Sequence, residues 1–339
     1  MIRALVLAAL LAGCGTFEDP TIVLDLRVLA MSAELVPNPG DLPEVGAGPD
    51  QVVDVDLTMP MAAQILEQLR PTRLCALAAD PRNARDLRWS MTVCMIDEEG
   101  RCDPDAPTID LGSGVIGDPE TSEARQIPCA TIEPQDTQVG QKLLAILSKT
   151  VTENPVQALG GVDYTVVFSI GAVDDRSTDV YASKHLRVSP RIPEARVANT
   201  NPRVDYVDAA LENGGTIPLP VDSRCSDTFL APRVPPGTRV TLFPIEPAGV
   251  RETYVVPTLD GQVAMLEETM TYQWLATYGG WSDELTGGGH DLLGNQSLLG
   301  SDWIAPSEVT GSLMVSLWMI QRDERYGTKW FETCIEVFR

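Results

Sequence analysis

Seven cysteines, six tryptophans and 48 acidic residues are the side chains through which this 339-residue sequence could do chemistry. The cysteines divide by context. Cys14 closes Leu11-Ala12-Gly13-Cys14, behind Arg3 and an apolar run over 4–12. A basic start, a short apolar stretch and small residues before a cut point are the anatomy of a secretory signal. The run makes only about 14 Å of helix, against a hydrocarbon core of about 30 Å, so it is too short to span a membrane. An exported chain folds in an oxidising compartment, where Cys75, Cys94, Cys102, Cys129, Cys225 and Cys334 read as three disulfides. Zinc is the rival reading. No cysteine pair has Cys-x-x-Cys spacing, and His185 and His290 lie in unrelated contexts, which disfavours a metal site.

Other candidates for chemistry weaken on spacing. His290-Asp291 are neighbours on a Gly-rich stretch, and no Gly-x-Ser-x-Gly elbow accompanies them; Gly112-Ser113-Gly114 reads as a flexible loop. His185 reads as a surface residue. The acidic runs Asp97-Glu98-Glu99-Gly100, Asp103-Pro104-Asp105 and Asp174-Asp175 with Asp179 lack the Asp-x-Asp-x-Asp-Gly order of a calcium loop and read as solvated turns. No enzyme, metal or cofactor is expected. With 25 basic residues and a formal charge of −23, the surface repels nucleic acid and anionic headgroups. The alternative to a purely structural role is a module that binds glycan or calcium. It would use the Gly-rich loop 279–294 with Trp281 and Trp303, since long loops on β scaffolds concentrate binding.

The elements that would position these residues are mostly strands. Alternation over 52–57, 73–79, 87–96, 164–173 and 185–188, and in the second half over 216–221, 239–245, 253–256, 269–278, 313–322 and 329–338, predicts a mainly β chain. One or two short helices are expected, at 61–69 and at 136–152, the latter capped by Asp136 or Thr137. In the strand 87–96, Leu87, Trp89, Met91 and Val93 share a core face and Cys94 faces out. Cys94 can then close on Cys102 across the turn at 98–100. Cys75 with Cys129 becomes the second pair and Cys225 with Cys334 the third, which leaves Trp89 and Trp274 to organise two cores. The Pro-rich segment at the middle reads as a semi-rigid spacer. The organisation expected is a signal peptide over 1–13, a tether over 14–20, a β-sandwich with a helical insertion over 21–190, a linker over 191–202 and a second sandwich over 203–339.

Two resemblances extend this reading. A cysteine directly after Ala-Gly resembles the bacterial lipobox, which implies cleavage before Cys14 and covalent lipid on its thiol and amine. Gly15 rather than aspartate after the cysteine implies, by the same resemblance, the outer membrane, on its periplasmic face or at the cell surface. The second lies in Tyr272-Gln273-Trp274, Trp303-Ile304-Ala305-Pro306, the strand 313–318 and Arg322-Asp323-Glu324-Arg325-Tyr326-Gly327. Together with Cys75, Ala79-Asp80-Pro81 and Leu87-Arg88-Trp89, they resemble immunoglobulin-like or PKD-like lipoproteins of myxobacteria and their relatives. That implies two immunoglobulin-like β-sandwich domains and a location, with no activity. The function expected is a non-catalytic envelope lipoprotein, held to the membrane by lipid, with an envelope protein or glycan as partner.

Overall fold

A computed structural model describes residues 19–37, 48–81, 85–96, 101–117, 124–126, 128–153, 155–227, 231–258, 260, 262–289, 295 and 297–339. Cys14, His290 and Asp291 lie outside these residues. The described chain is mainly β, built as two pairs of stacked sheets.

In the first half, β1 (Arg27–Leu35) pairs with β3 (Thr72–Asp80), whose other edge takes β6 (Ala124–Gln126) and β7 (Cys129–Ile132). The facing sheet runs β2 (Asp50–Val53), β9 (Val180–Pro190), β8 (Val162–Ala172), β4 (Leu87–Cys94) and β5 (Ile109–Ile116). Met31, Leu74 and Ala76 meet Met91, Val166 and Phe168 between the sheets. Two helices close this core, α1 (Met61–Gln68) with Ile65 and α2 (Thr137–Glu153) with Leu143, Ile146 and Leu147. Helical spacing puts those three on one stripe, and the Asp136 carboxylate caps α2 by accepting from Gln138 N at 2.9 Å and Val139 N at 3.0 Å. A third helix, α3 (Pro155–Gly160), exceeds the one or two expected; six residues are too few to show a helical period.

In the second half, β10 (Tyr206–Leu211), β12 (Arg239–Ile245), β18 (Ser301–Ile304) and β16 (Gly280–Trp281) form one sheet. β11 (Arg233–Val234), β20 (Thr328–Phe338), β19 (Ser312–Asp323), β15 (Met270–Ala276) and β17 (Leu285–Gly287) form the other. Leu242, Tyr272, Trp274, Trp303, Phe331 and Ile335 fill the space between them. A hairpin of β13 (Thr253–Pro257) and β14 (Val263–Glu267) stands apart.

A third apolar cluster joins the halves. Leu29, Ala30, Leu77 and Ala79, on the back of the β1–β3 sheet, pack on Leu275, Trp318, Ile320 and Trp330, on the back of the β15–β19 sheet. Both sheets are therefore covered on both faces. This is why 74–79 and 317–320 are unbroken apolar or small runs instead of alternating ones. The chain also crosses the junction at its start: Ala276 N donates to Thr21 O at 2.9 Å and Val23 N to Ala276 O at 2.8 Å.

Several expectations are corrected. Residues 112–114 belong to β5, not to a flexible loop. Gly114 lies opposite Trp89, and a Cβ on it would stand 3.1 Å from the indole nitrogen, so glycine makes room for the ring. Trp89 is half-buried at the edge of the first core, while Cys94, expected to face out, is fully buried. The segment carrying Cys102 covers it through the Ile96–Cys102 bridge. Residues 216–221 form no strand, because Pro218 and Pro220 lack ladder donors; only an isolated Ala210–Thr216 bridge remains. Of the loop 279–294, residues 280–281 and 285–287 are strands on β18 and β15. The six cysteines form the pairs Cys75–Cys129, Cys94–Cys102 and Cys225–Cys334.

Candidate functional site

Charged side chains concentrate where the β19–β20 turn enters the first half. The turn is 323–327, Asp-Glu-Arg-Tyr-Gly. Asp323 Oδ1 accepts from Arg325 N at 2.8 Å and Gly327 N at 2.7 Å, which fixes its shape. Tyr326 adopts φ 76°, a left-handed conformation costly for a tyrosine, and its neighbours over-determine it. Arg187 stacks over its ring at 5.0 Å and donates to its hydroxyl at 3.1 Å, and the His185 ring lies 5.5 Å away. Gly327 must be glycine, since a Cβ there would lie 2.8 Å from Pro202 Cδ.

Arg325 and Tyr326 then reach across to the first half, and Glu324 anchors the turn within the second. Arg325, 10% exposed, lies 3.3 Å from Asp50 of β2, 3.0 Å from Glu252 and 3.4 Å from Glu268. It also donates to Val197 O at 2.9 Å and stacks 4.7 Å over Tyr254. Burial, with the Asp323 charge adding, raises Glu268 to about 7. Burial likewise raises Asp50, against the lowering effect of Ser189, which donates to it at 2.9 Å, and of Arg325. Glu324 accepts from the Tyr254 hydroxyl at 2.7 Å and the Thr269 hydroxyl at 2.6 Å.

The segment expected as a spacer is part of this clamp. Arg196, Asn199 and Asn201 are buried. Asn199 Nδ2 donates to Asp323 Oδ2 at 3.1 Å; Asn201 Nδ2 donates to Ala33 O at 2.7 Å and its Oδ1 accepts from Thr328 N at 3.1 Å. A solvated linker would leave these amides free, whereas here Asn201 ties β1 to β20 and Asn199 holds the turn.

Beside the turn is a cavity of about 300 Å³. Residues 28–31 of β1 and 182–185 of β9 form one side, and Arg322, Asp323, Tyr326 and Thr328 the other. Lys184, only 5% exposed, donates through Nζ to Tyr326 O and, at 2.9 Å, to Thr328 Oγ1. Desolvation lowers its amine to about 7, with Asp323 opposing the shift and Arg322 adding to it. His185, expected at the surface, is half-buried on this wall, with Nδ1 3.2 Å from Thr165 Oγ1.

The residues singled out as possible ligand contacts lie elsewhere. Trp303 is 0% exposed and donates through Nε1 to Tyr278 O at 3.0 Å, so no face is left to stack on a sugar. Trp281 is half-buried with its ring 5.3 Å from that of Trp274. Gly279, at φ 97°, lets the chain pass Trp303; a Cβ there would lie 2.5 Å from both Ile304 O and Trp303 Nε1. Among the described residues no cluster of three or more histidine, cysteine or acidic side chains suits a metal ion, and no helix is long and apolar enough to cross a membrane.

Sequence reasoning named the motif 322–327 as a mark of resemblance but missed its role. The signal was a charged hexapeptide between two strongly apolar strands. No family model and no curated protein matches the chain. Among solved structures, a point mutant of Salmonella alpha-2-macroglobulin is similar at 8% identity and a TM-score of 0.22, over 96% of this chain and 17% of that one. The chain thus spans about a sixth of that protein's length.

Proposed function

We propose that the chain is a non-catalytic lipoprotein of the outer membrane, acylated at Cys14 and serving as a rigid structural or interaction module of the envelope. The observation that carries the reading is the set of three disulfides, which belongs to an oxidising, exported setting. It accords with the lipobox-like Leu11-Ala12-Gly13-Cys14 and with the acidic surface. The clamp at the junction supports a body whose two sandwiches keep one orientation. Four residues separate Cys14 from Asp19, and the five Cα steps reach at most about 18 Å. A lipid on Cys14 would thus hold the β15 end of the body close to the bilayer.

Growth with an alkyne-bearing fatty acid, followed by mass spectrometry of the amino-terminal peptide, tests this. The expected result is label on a peptide that begins at Cys14, with label and membrane association both lost in Cys14→Ser. A body released in soluble form, unlabelled and cut at another residue, would overturn the reading.

A further inference from the structure

The cavity at the junction has features that the clamp does not need. It sits at an open seam of the first sandwich. β1 is an edge strand of its sheet, and β9 pairs with β2 only over 187–190, so 182–185 has a free edge. The second half caps this seam with the 323–327 turn. At about 300 Å³ the space equals roughly ten water volumes, within the range of small-molecule sites.

Its charge is opposite to that of the molecule. In a chain of net charge −23, two cations line it, and among the described residues neither makes a direct ion pair. Lys184 Nζ donates only to a carbonyl and a hydroxyl. Arg322 donates to Gln273 Oε1 at 3.0 Å and Leu29 O at 3.1 Å, both neutral acceptors. The one acid on the wall, Asp323, is occupied: Oδ1 accepts two backbone N–H groups and Oδ2 accepts from Asn199. The Asp323 charge offsets part of the cost of burying Lys184, whereas Arg322 has no counter-charge among the described residues. A partly buried cation so placed is costly, and an anion in the cavity removes that cost. Val28 to Met31 and Ala182 give the wall an apolar stretch, beside the polar Ser183, His185, Tyr326 and Thr328.

We propose that this cavity binds a small amphiphilic carboxylate, with its anionic head against Lys184 and Arg322 and its apolar body against 28–31 and Ala182. Lys184 belongs to the first half and Arg322 to the second, so the ligand bridges the junction. An anion beside Lys184 also keeps a proton on an amine that burial otherwise disfavours.

Titration calorimetry on the chain carrying Cys14→Ser tests the assignment, with hexanoate, neutral 1-hexanol and inorganic phosphate as probes. A charged hydrogen bond is worth about 1.5–3 kcal/mol, so hexanoate should bind about tenfold or more tightly than 1-hexanol. Phosphate should bind more weakly than hexanoate, because it has no apolar body. Lys184→Met and Arg322→Met should each erase the preference for hexanoate over 1-hexanol. Ala182→Phe, which keeps both cations and fills the space, should abolish binding of both. No saturable binding of hexanoate, equal binding of hexanoate and 1-hexanol, phosphate as tight as hexanoate, or hexanoate affinity unchanged by Ala182→Phe would each overturn the proposal. Should Lys184→Met fail to fold, Ala182→Phe decides.

Discussion

Replacing Arg325 by methionine isolates what the junction clamp contributes. Methionine keeps most of the stem, so the change removes a cation from among Asp50, Glu252 and Glu268, of which Asp50 and Glu268 are buried. Deleting one partner of a buried ion pair costs about 3–5 kcal/mol, because the other charge stays buried and uncompensated. The three acids do not suffer equally. Glu252 is partly exposed and can rehydrate, and Asp50 keeps the Ser189 hydroxyl. Glu268 keeps only a 3.3 Å contact from Glu252 N, so it dominates the loss. Its carboxyl already titrates at about 7 in the folded chain, against an ordinary value of 4.5. Without Arg325 that value rises further. Below about pH 7 the folded state holds this proton in both proteins and the pair contributes no difference. Above it, the variant must either keep the proton or bury a bare charge, and the gap widens by up to about 1.4 kcal/mol per pH unit. The expected cost is thus about 1–2 kcal/mol at pH 6, from the lost Val197 and Tyr254 contacts, and about 3–5 kcal/mol at pH 8.5. Urea denaturation across pH 5.5–9 measures it, and Glu268→Gln added to Arg325→Met should recover most of the alkaline loss. A loss below about 1 kcal/mol at pH 8.5, a loss that does not change with pH, or a double variant no better than the single one would refute the assignment.

Two further outcomes follow from the same structure. The Cys225–Cys334 bridge closes 109 residues and Cys94–Cys102 only 8, so the chain-entropy relation gives about 4.8 and about 2.5 kcal/mol respectively. Paired alanine substitutions should therefore cost more at 225/334, and the reverse order in denaturant titrations would contradict that account. The second concerns Lys184, whose folded amine titrates at about 7 against an ordinary value of 10.5. Between those values the unfolded chain binds the extra proton, so stability from this group rises with pH, by up to about 1.4 kcal/mol per unit. Glu268 acts in the opposite sense between 4.5 and about 7, where the folded chain holds the extra proton and its contribution falls as pH rises. These two groups place a minimum of stability near pH 7. Lys184→Met should flatten the alkaline limb and leave the acidic one, and a profile unchanged by that substitution would refute the assignment.

Much of the fold was legible because it depends on short-range pattern. Alternation at 239–245 and at 253–256 located β12 and β13 to within a residue, and the apolar stripe with Asp136 ahead of it located α2. What failed was local composition overruled by a distant partner. Gly112-Ser113-Gly114 looked like a loop until Trp89 was laid across it, and 279–289 looked flexible until β15 and β18 took its backbone bonds. In both places glycine answers to a neighbouring ring, and nothing within the segment names that ring. Trp303 failed similarly: a tryptophan beside prolines and glycines looks exposed, and only the sheet pairing of Trp281 with Trp303 shows that it is core.

The junction was the least legible part, yet its two halves were each written in the sequence. Consecutive apolar residues at 317–320 and small apolar ones at 76–79 cannot all face one core in an antiparallel strand, because side chains alternate. Such runs require a second covered face, and in one chain the natural cover is the other run. Once those faces meet, the turn after β19 must land on the first sandwich, and its charges need partners there. The asparagines at 199 and 201 and the acid at 50 are then the polar groups that a buried landing site requires. Each alone reads as an ordinary surface residue. Their burial follows from two apolar runs placed more than 200 residues apart, so the site is a consequence of packing between halves rather than of any motif.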